Sequence, residues 1–255
     1  MTILAGKVVV VTGGASGIGR SIAVRAAQLG ASAVVIGDLD EAPKEGGETT
    51  ALIVEKHGAS ARFLKCDVRS HDDLAALIAV ADQFGGVDVM VCNAGVALAS
   101  DGPEITDGDF DKLVSINLHG ALKSAQHAGA AMKARATGGS IVVISSMGGL
   151  RGSGFNLVYT MTKGGVNMMT ASLADAFGPE GIRVNAVCPG LINTRLIESS
   201  PGVAAAAEGL RQRMPLRRLG EPDEIGDVVA WLGSDLSSFV TGAVIPVDGG
   251  QTAVI

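Results

Sequence analysis

Tyr159 and Lys163 lie four residues apart, and Tyr159 is the single tyrosine of the chain. On a helix, positions i and i+4 share a face, so the phenol and the ammonium would be neighbours. A free phenol has a pKa of about 10, and a cation beside it favours the phenolate. Lowering that value by about three units takes about 4 kcal/mol of differential interaction. The product is a general acid/base poised near the working pH, suited to exchanging a hydroxyl proton. Ser146 stands thirteen residues before Tyr159, just past the apolar run 141–144. A hydroxyl there can hydrogen-bond an oxygen that becomes alkoxide-like. Ser145 is the rival for that task.

A second pattern could hold an anion. The apolar run 8–11 is followed by Thr12-Gly13-Gly14-Ala15-Ser16-Gly17-Ile18-Gly19 and then by a helical pattern. Glycines at a strand-to-helix turn let the backbone approach a pyrophosphate, and the helix dipole favours its charge. The expected contacts are Gly13, Ser16, Gly17, Ile18 and Gly19. Asp38 follows the next apolar run, 33–36, nineteen residues after Gly19. A carboxylate there can accept hydrogen bonds from an adenosine ribose and repels a 2′-phosphate. Neither Arg nor Lys occurs at Ala15, Ser16, Gly37 or Leu39 to bind that phosphate. The pattern therefore predicts NAD, with NADP disfavoured.

These residues need a scaffold, and the rest of the chain describes one. Short apolar runs at 8–11, 33–36, 61–64, 87–91, 141–144, 182–187 and 243–247 alternate with helical patterns near 18–29, 45–57, 72–84, 107–135, 158–177 and 222–233. Such alternation predicts right-handed crossovers and a seven-stranded parallel sheet with helices on both faces, a doubly wound α/β Rossmann fold. With 47% hydrophobic but only 3% aromatic residues, the core must be built from Val, Ile, Leu and Ala, as suits a sheet buried on both sides. The 255 residues read as one catalytic domain. One segment, about 190–218, breaks the rhythm and is expected to be a substrate-binding lid.

Other features narrow the function. A net charge of −6 without a basic stripe disfavours nucleic acid. No apolar run reaches the ~20 residues needed to span a bilayer, which with the absence of a signal sequence predicts a cytoplasmic protein without a membrane role. Cys66, Cys92 and Cys188 lack metal-type spacing and read as buried thiols. His57, His71, His119 and His127 show no metal pattern either, so no metal is expected.

Over essentially its whole length the chain resembles the short-chain dehydrogenases/reductases. The resemblance is carried by Thr12 to Gly19, Asp67-Val68, Asn93-Ala94-Gly95, Asn117, Ser146, Tyr159 with Lys163, Pro189-Gly190 through Thr194, and Val247-Asp248-Gly249-Gly250. It implies hydride transfer between a carbinol carbon and a nicotinamide, with Tyr159 as acid/base. Family spacing favours Ser146 over Ser145, and implies that Lys163 also binds the nicotinamide ribose. Asn117 would support a proton-relaying water. Asp67 and Val68 would hold the adenine, and Asn93, Ala94 and Gly95 would close the crevice and brace the central strand. Pro189, Gly190, Ile192 and Thr194 would grip the nicotinamide carboxamide. Family members usually form homotetramers through the helices near 107–135 and 158–177. Apolar Val96, Met147, Phe155, Leu191, Leu196 and Ile197 near the site, with Arg151 and Arg195 the nearest charges by sequence, suggest a secondary alcohol and its ketone as substrate pair, with sugars and hydroxy acids left open. Two alternatives stand beside this reading: an NADPH-dependent 3-oxoacyl-thioester reductase whose carrier protein docks on Lys123, Lys133 and Arg135, and a non-catalytic dinucleotide-binding regulator.

Overall fold

A computed structural model of the chain describes residues 2–98, 102–194, 209, 211–212 and 214–254. Six of the seven strands form where the sequence concentrates β-branched residues; β3 has none. They are β1 (Val8–Thr12), β2 (Ala33–Asp38), β3 (Ser60–Lys65), β4 (Val89–Cys92), β5 (Gly139–Ile144), β6 (Ile182–Pro189) and β7 (Val244–Val247). They make one seven-stranded sheet in the order β3-β2-β1-β4-β5-β6-β7, with every pair parallel. The order reverses between β1 and β4. In doubly wound sheets the crevice for a ligand lies there, beyond the carboxyl ends of the strands.

The helices are α1 (Gly17–Gln28), α2 (Thr50–Lys56), α3 (His71–Asp82), α4 (Asp107–Leu113), α5 (Ala121–Arg135), α6 (Leu157–Phe177) and α7 (Pro222–Gly233). Alternation along β1 feeds two cores. Val9 and Val11 pack with Ile22 and Ala26 of α1 and Ile225 and Val229 of α7. Val8 and Val10 pack with Leu74 and Leu77 of α3, Ala125 and Met132 of α5, and Val166 of α6. Both faces of the sheet are thus covered by small aliphatic side chains, as the composition requires.

Three of the departures from the sequence reading bear on the site. The helix expected from residue 45 starts at Thr50, because Gly46 and Gly47 adopt φ of +78° and +82° and Thr49 caps the helix by accepting from Leu52 N–H. The helix expected over 107–135 is interrupted by a π-helical stretch, Val114–Gly120, between α4 and α5. Strand β6 runs two residues further than expected, to Pro189. The irregular segment after it is closed at its base by a parallel bridge between Ile192 and Gly220. Asn193 N–H donates to Gly220 O at 2.7 Å, and Gly220 N–H donates to Leu191 O at 3.0 Å. Arg195, Leu196, Ile197 and most of the expected lid lie outside the described residues.

Candidate active site

The glycine turn is built almost wholly from backbone. A Cβ on Gly19 would sit 2.1 Å from Gly13 O, and one on Gly13 would sit 2.9 Å from Ala94 Cα, so neither position admits a side chain without movement. Asn93 holds the turn from the neighbouring strand. Its Nδ2 donates to Thr12 O (3.0 Å) and Gly13 O (2.9 Å). Thr12 Oγ1 accepts from Asn93 N–H and Ala94 N–H and donates to Val91 O. The bracing role expected for Asn93 and Ala94 thus has a concrete geometry. Asp38 Oδ2 accepts from Ala15 N–H at 3.0 Å, and Asp38 Oδ1 from Leu39 N–H.

Ser70 and Thr106 cap α3 and α4 with their own hydroxyls, and Glu221 with Glu224 makes a capping box on α7. Helix α1, like α5 and α6, has no cap from its own N-cap side chain and no acidic residue in its first turn. A glycine cradle at a helix N-terminus suits the pyrophosphate of a dinucleotide.

Across the crevice, α6 presents Tyr159 and Lys163 on one face, with Lys163 Nζ 5.8 Å from the Tyr159 ring centroid. Lys163 is buried, its Nζ donating to Ile144 O at 2.8 Å. Burial pushes its pKa down from 10.5 to about 8. The sequence pattern suggested a permanent cation; the fold supplies one that is half titrated near pH 8. The rivalry between Ser145 and Ser146 is resolved by burial. Ser145 faces the interior and donates to Lys163 O, whereas half-buried Ser146 starts a 3₁₀ turn (Met147–Gly149) and accepts from Gly148 N–H. A methyl placed on Gly148 would lie 3.4 Å from Ser146 Oγ and 3.6 Å from Tyr159 Cε1. The two hydroxyl-bearing side chains therefore converge on one small space.

Asn117 lies inside the π-helical stretch and is buried. Its amide is doubly tied to one residue: Oδ1 accepts from Val96 N–H at 2.8 Å, and Nδ2 donates to Val96 O at 2.9 Å. This fixes the loop that follows Gly95. A methyl on Gly95 would lie 3.3 Å from Asn117 Oδ1 and 3.6 Å from Lys163 Nζ, so Asn117, Lys163 and Gly95 share one corner of the site. π-Helical turns inside α-helices recur at functional sites, where they re-aim a side chain.

The remaining predicted residues frame the crevice. Asp67 is paired with Arg69, whose guanidinium donates to both carboxylate oxygens and holds the carboxyl below its usual range. Val68 is buried against Gly120. Gly190 is wedged against Asp248, 2.7 Å from where its Cβ would sit. The Ile192 side chain belongs to the core, and Thr194 shares a cleft of about 700 Å³ with Gly17, Arg20 and Glu45. Burial raises Cys66 and Cys92 to about 12, as inert thiols.

Two site residues escaped the sequence reading. Glu45 reaches the glycine turn, its Oε1 accepting from Gly17 N–H at 2.5 Å. Asn167 stands one further helical turn along the Tyr159–Lys163 face; its Nδ2 donates to Gly149 O at 2.9 Å and its Oδ1 accepts from Cys188 Sγ at 3.7 Å. The i+8 spacing from Tyr159 was the available signal for Asn167. Glu45 had none, since only the loop's path brings it there. The fold also joins His71 and His127, 3.1 Å apart. Among the described residues no cluster of three or more metal-ligating side chains forms, and no helix is long and apolar enough to cross a membrane.

Comparison with known proteins finds relatives over nearly the whole chain. A family profile described as enoyl-(acyl carrier protein) reductase matches residues 13–252. The chain is 40% identical over 251 residues to cis-4-hydroxycyclohexanecarboxylate dehydrogenase of Sinomonas cyclohexanicum, covering 97% of each chain. It is 37% identical to L-rhamnose 1-dehydrogenase (NAD(P)(+)) of a Sphingomonas strain, covering 98% of each. Among solved structures, levodione reductase superposes with a TM-score of 0.91 at 35% identity, covering 99% of this chain and 100% of that one. A short-chain type dehydrogenase/reductase from Mycobacterium marinum gives 0.88 at 31%, covering 98% and 96%.

Proposed function

The chain belongs to the short-chain dehydrogenase/reductase family, and we propose that it is an NAD-dependent enzyme interconverting a secondary alcohol and a ketone, with Tyr159 as acid/base. The observation that carries this reading is the convergence of Ser146 Oγ and the Tyr159 ring over Gly148. A substrate oxygen placed there meets one hydrogen-bond donor and one proton-exchanging phenol.

A bound nicotinamide supplies the hydride acceptor or donor. The turn from Gly13 to Gly19 would hold its pyrophosphate, Asp38 its adenosine ribose, Asp67 and Val68 its adenine, Lys163 its other ribose, and Pro189, Gly190, Ile192 and Thr194 its carboxamide; Asn93, Ala94 and Gly95 would close the crevice beside it. In alcohol oxidation Tyr159 takes the hydroxyl proton while Ser146 stabilises the oxygen as charge develops on it. Lys163 favours the phenolate when protonated. Asn117, locked to Val96, holds the wall beside Lys163 where a water would carry the proton outward.

Apolar Val96, Met147, Phe155 and Leu191 border the substrate side, which suits an aliphatic or alicyclic alcohol. Of the relatives, cis-4-hydroxycyclohexanecarboxylate dehydrogenase is named for an alicyclic alcohol, whereas the L-rhamnose 1-dehydrogenases are named for a sugar. Purified protein with cis-4-hydroxycyclohexanecarboxylate, cyclohexanol or L-rhamnose, and with levodione in the reverse direction, should change absorbance at 340 nm with at least one compound. NAD should be more efficient than NADP. Equal efficiency with both would refute the NAD assignment; no turnover after Tyr159→Phe alongside turnover in the wild type would support the acid/base role.

The carrier-protein dock of the thioester-reductase alternative keeps one exposed cation, Lys133. Lys123 is buried and donates to Arg69 O, Lys133 pairs with Glu180, and Arg135 binds Val87 O and Asp88. A purely regulatory role leaves the convergence at Gly148 without a purpose. Exposed Phe110, Leu157, Met161 and Met168 on α4 and α6 support a homotetramer built through these helices. Of the small residues on α6, Gly165 faces Leu118 and Ala174 is in the core, so the exposed apolar side chains rather than these two would make the contact. Light scattering on the purified protein tests the assembly.

A further inference from the structure

We propose that Glu45 is a second determinant of cofactor choice, beside Asp38, and that it excludes a phosphate at the adenosine 2′ position. The proposal rests on reading the glycine turn as the adenosine end of a dinucleotide site. The loop between β2 and α2 is bent by the turn from Pro43 to Gly46, with Gly46 N–H donating to Pro43 O at 2.9 Å. The bend lays the loop over the glycine turn. Lys44 N–H donates to Ser16 Oγ at 2.8 Å, and the Glu45 carboxylate accepts from Gly17 N–H. From below, Thr50 Oγ1 donates to Ala15 O.

The consequence is a full set of partners along the rim of the turn. Ala15 N–H is held by Asp38, Gly17 N–H by Glu45, and the hydroxyl between them accepts from Lys44 N–H. This explains why α1 lacks a cap of its own: the carboxylate that complements its dipole comes from 28 residues away. A ribose diol arriving beside Asp38 meets carboxylate acceptors. A 2′-phosphate arriving there meets two negative charges on N–H groups two residues apart, and must displace Glu45 to gain one of them. Lys44 is exposed and gives the turn only its backbone N–H.

The test needs no substrate. Isothermal titration with 5′-AMP and with 2′,5′-ADP, which differ only by the 2′-phosphate, measures its effect directly. Coulomb's law between exposed charges gives a few-fold per unit charge, hence about five- to tenfold for a phosphate. Glu45→Gln, whose amide oxygen can still accept from Gly17 N–H, should tighten 2′,5′-ADP by that factor and change 5′-AMP less than about twofold. Glu45→Ala should do the same. An unmoved ratio of the two affinities overturns the proposal, and so does equal tightening of both ligands, which would make Glu45 a general competitor for anions. A loss of 2′,5′-ADP binding in Lys44→Gln without a gain in Glu45→Gln also overturns it, since the loop would then attract the phosphate. Wild-type protein that binds 2′,5′-ADP as tightly as 5′-AMP removes the NAD assignment itself; the Glu45→Gln ratio still judges Glu45 separately.

Discussion

The head of α1 and the inner face of α6 border the same crevice and are built in opposite ways. At the head of α1 the functional groups are backbone amides, and the sequence serves mainly to keep side chains away: a methyl on Gly19 would fall 2.1 Å from a carbonyl oxygen. On α6 the functional groups are side chains at i, i+4 and i+8, which reach the 3₁₀ turn after Ser146, β5 and β6. Tyr159 reaches the space over Gly148, Lys163 reaches Ile144 O, and Asn167 reaches Gly149 O and Cys188. On the proposed function the first region would bind by shape and dipole, and the second would act through protonation. A backbone site should therefore fail when volume is added, and a side-chain site when chemistry is removed at constant volume.

The sharpest way to expose that contrast is Tyr159→Phe. It removes one oxygen and leaves the ring in place. Turnover should fall by at least about 10²-fold, the usual lower range for a general acid/base, while NADH binding followed by fluorescence stays within a few-fold. Gly19→Ala should do the reverse in kind. The added methyl meets backbone that cannot yield cheaply, so NADH affinity should drop by at least about tenfold and thermal stability should fall with it. If Gly19→Ala left both unchanged, the turn would not be the constrained cradle described above.

Lys163→Met separates function from stability on the α6 side. Lys163 has a folded pKa of about 8 against 10.5 when free. Between those values the unfolded chain binds a proton that the folded protein does not, so raising the pH through this window favours folding, and below pH 8 the buried cation is a standing cost. A shift of this size corresponds to about 3 kcal/mol, part of which the lost hydrogen bond to Ile144 O would cancel. The variant should lose turnover yet unfold at a temperature a few degrees higher than wild type at pH 6–7, with the gain shrinking towards pH 10. A variant less stable than wild type at every pH would show that Lys163 is held as a neutral or fully compensated group.

The smallest expected effect is at Asn167. It bonds the turn that begins with Ser146 to the helix that carries Tyr159, so Asn167→Leu should lower kcat several-fold, mostly sparing KM for NAD. Asn167→Gln should restore part of the loss. Equal losses in both variants would reduce Asn167 to ordinary packing.

Much of this was legible in the residues themselves. The alternation of apolar runs and helical patterns determines a parallel sheet because each element must bury one face, and β5, β6 and α6 form within a few residues of where the pattern puts them. Thr12 to Gly19, Asp38, Ser146, Tyr159 and Lys163 were visible because each sits at a strand end or on a helical repeat, where position along the chain maps onto position in space. Tertiary structure decided what local order cannot encode. Burial made Ser145 structural and left Ser146 facing the crevice, and desolvation lowered Lys163. The π-helical stretch turned Asn117 onto Val96, and the path of the β2–α2 loop set Glu45 on Gly17. In each case the deciding contact joins residues many positions apart, so its energy depends on how the chain returns to itself.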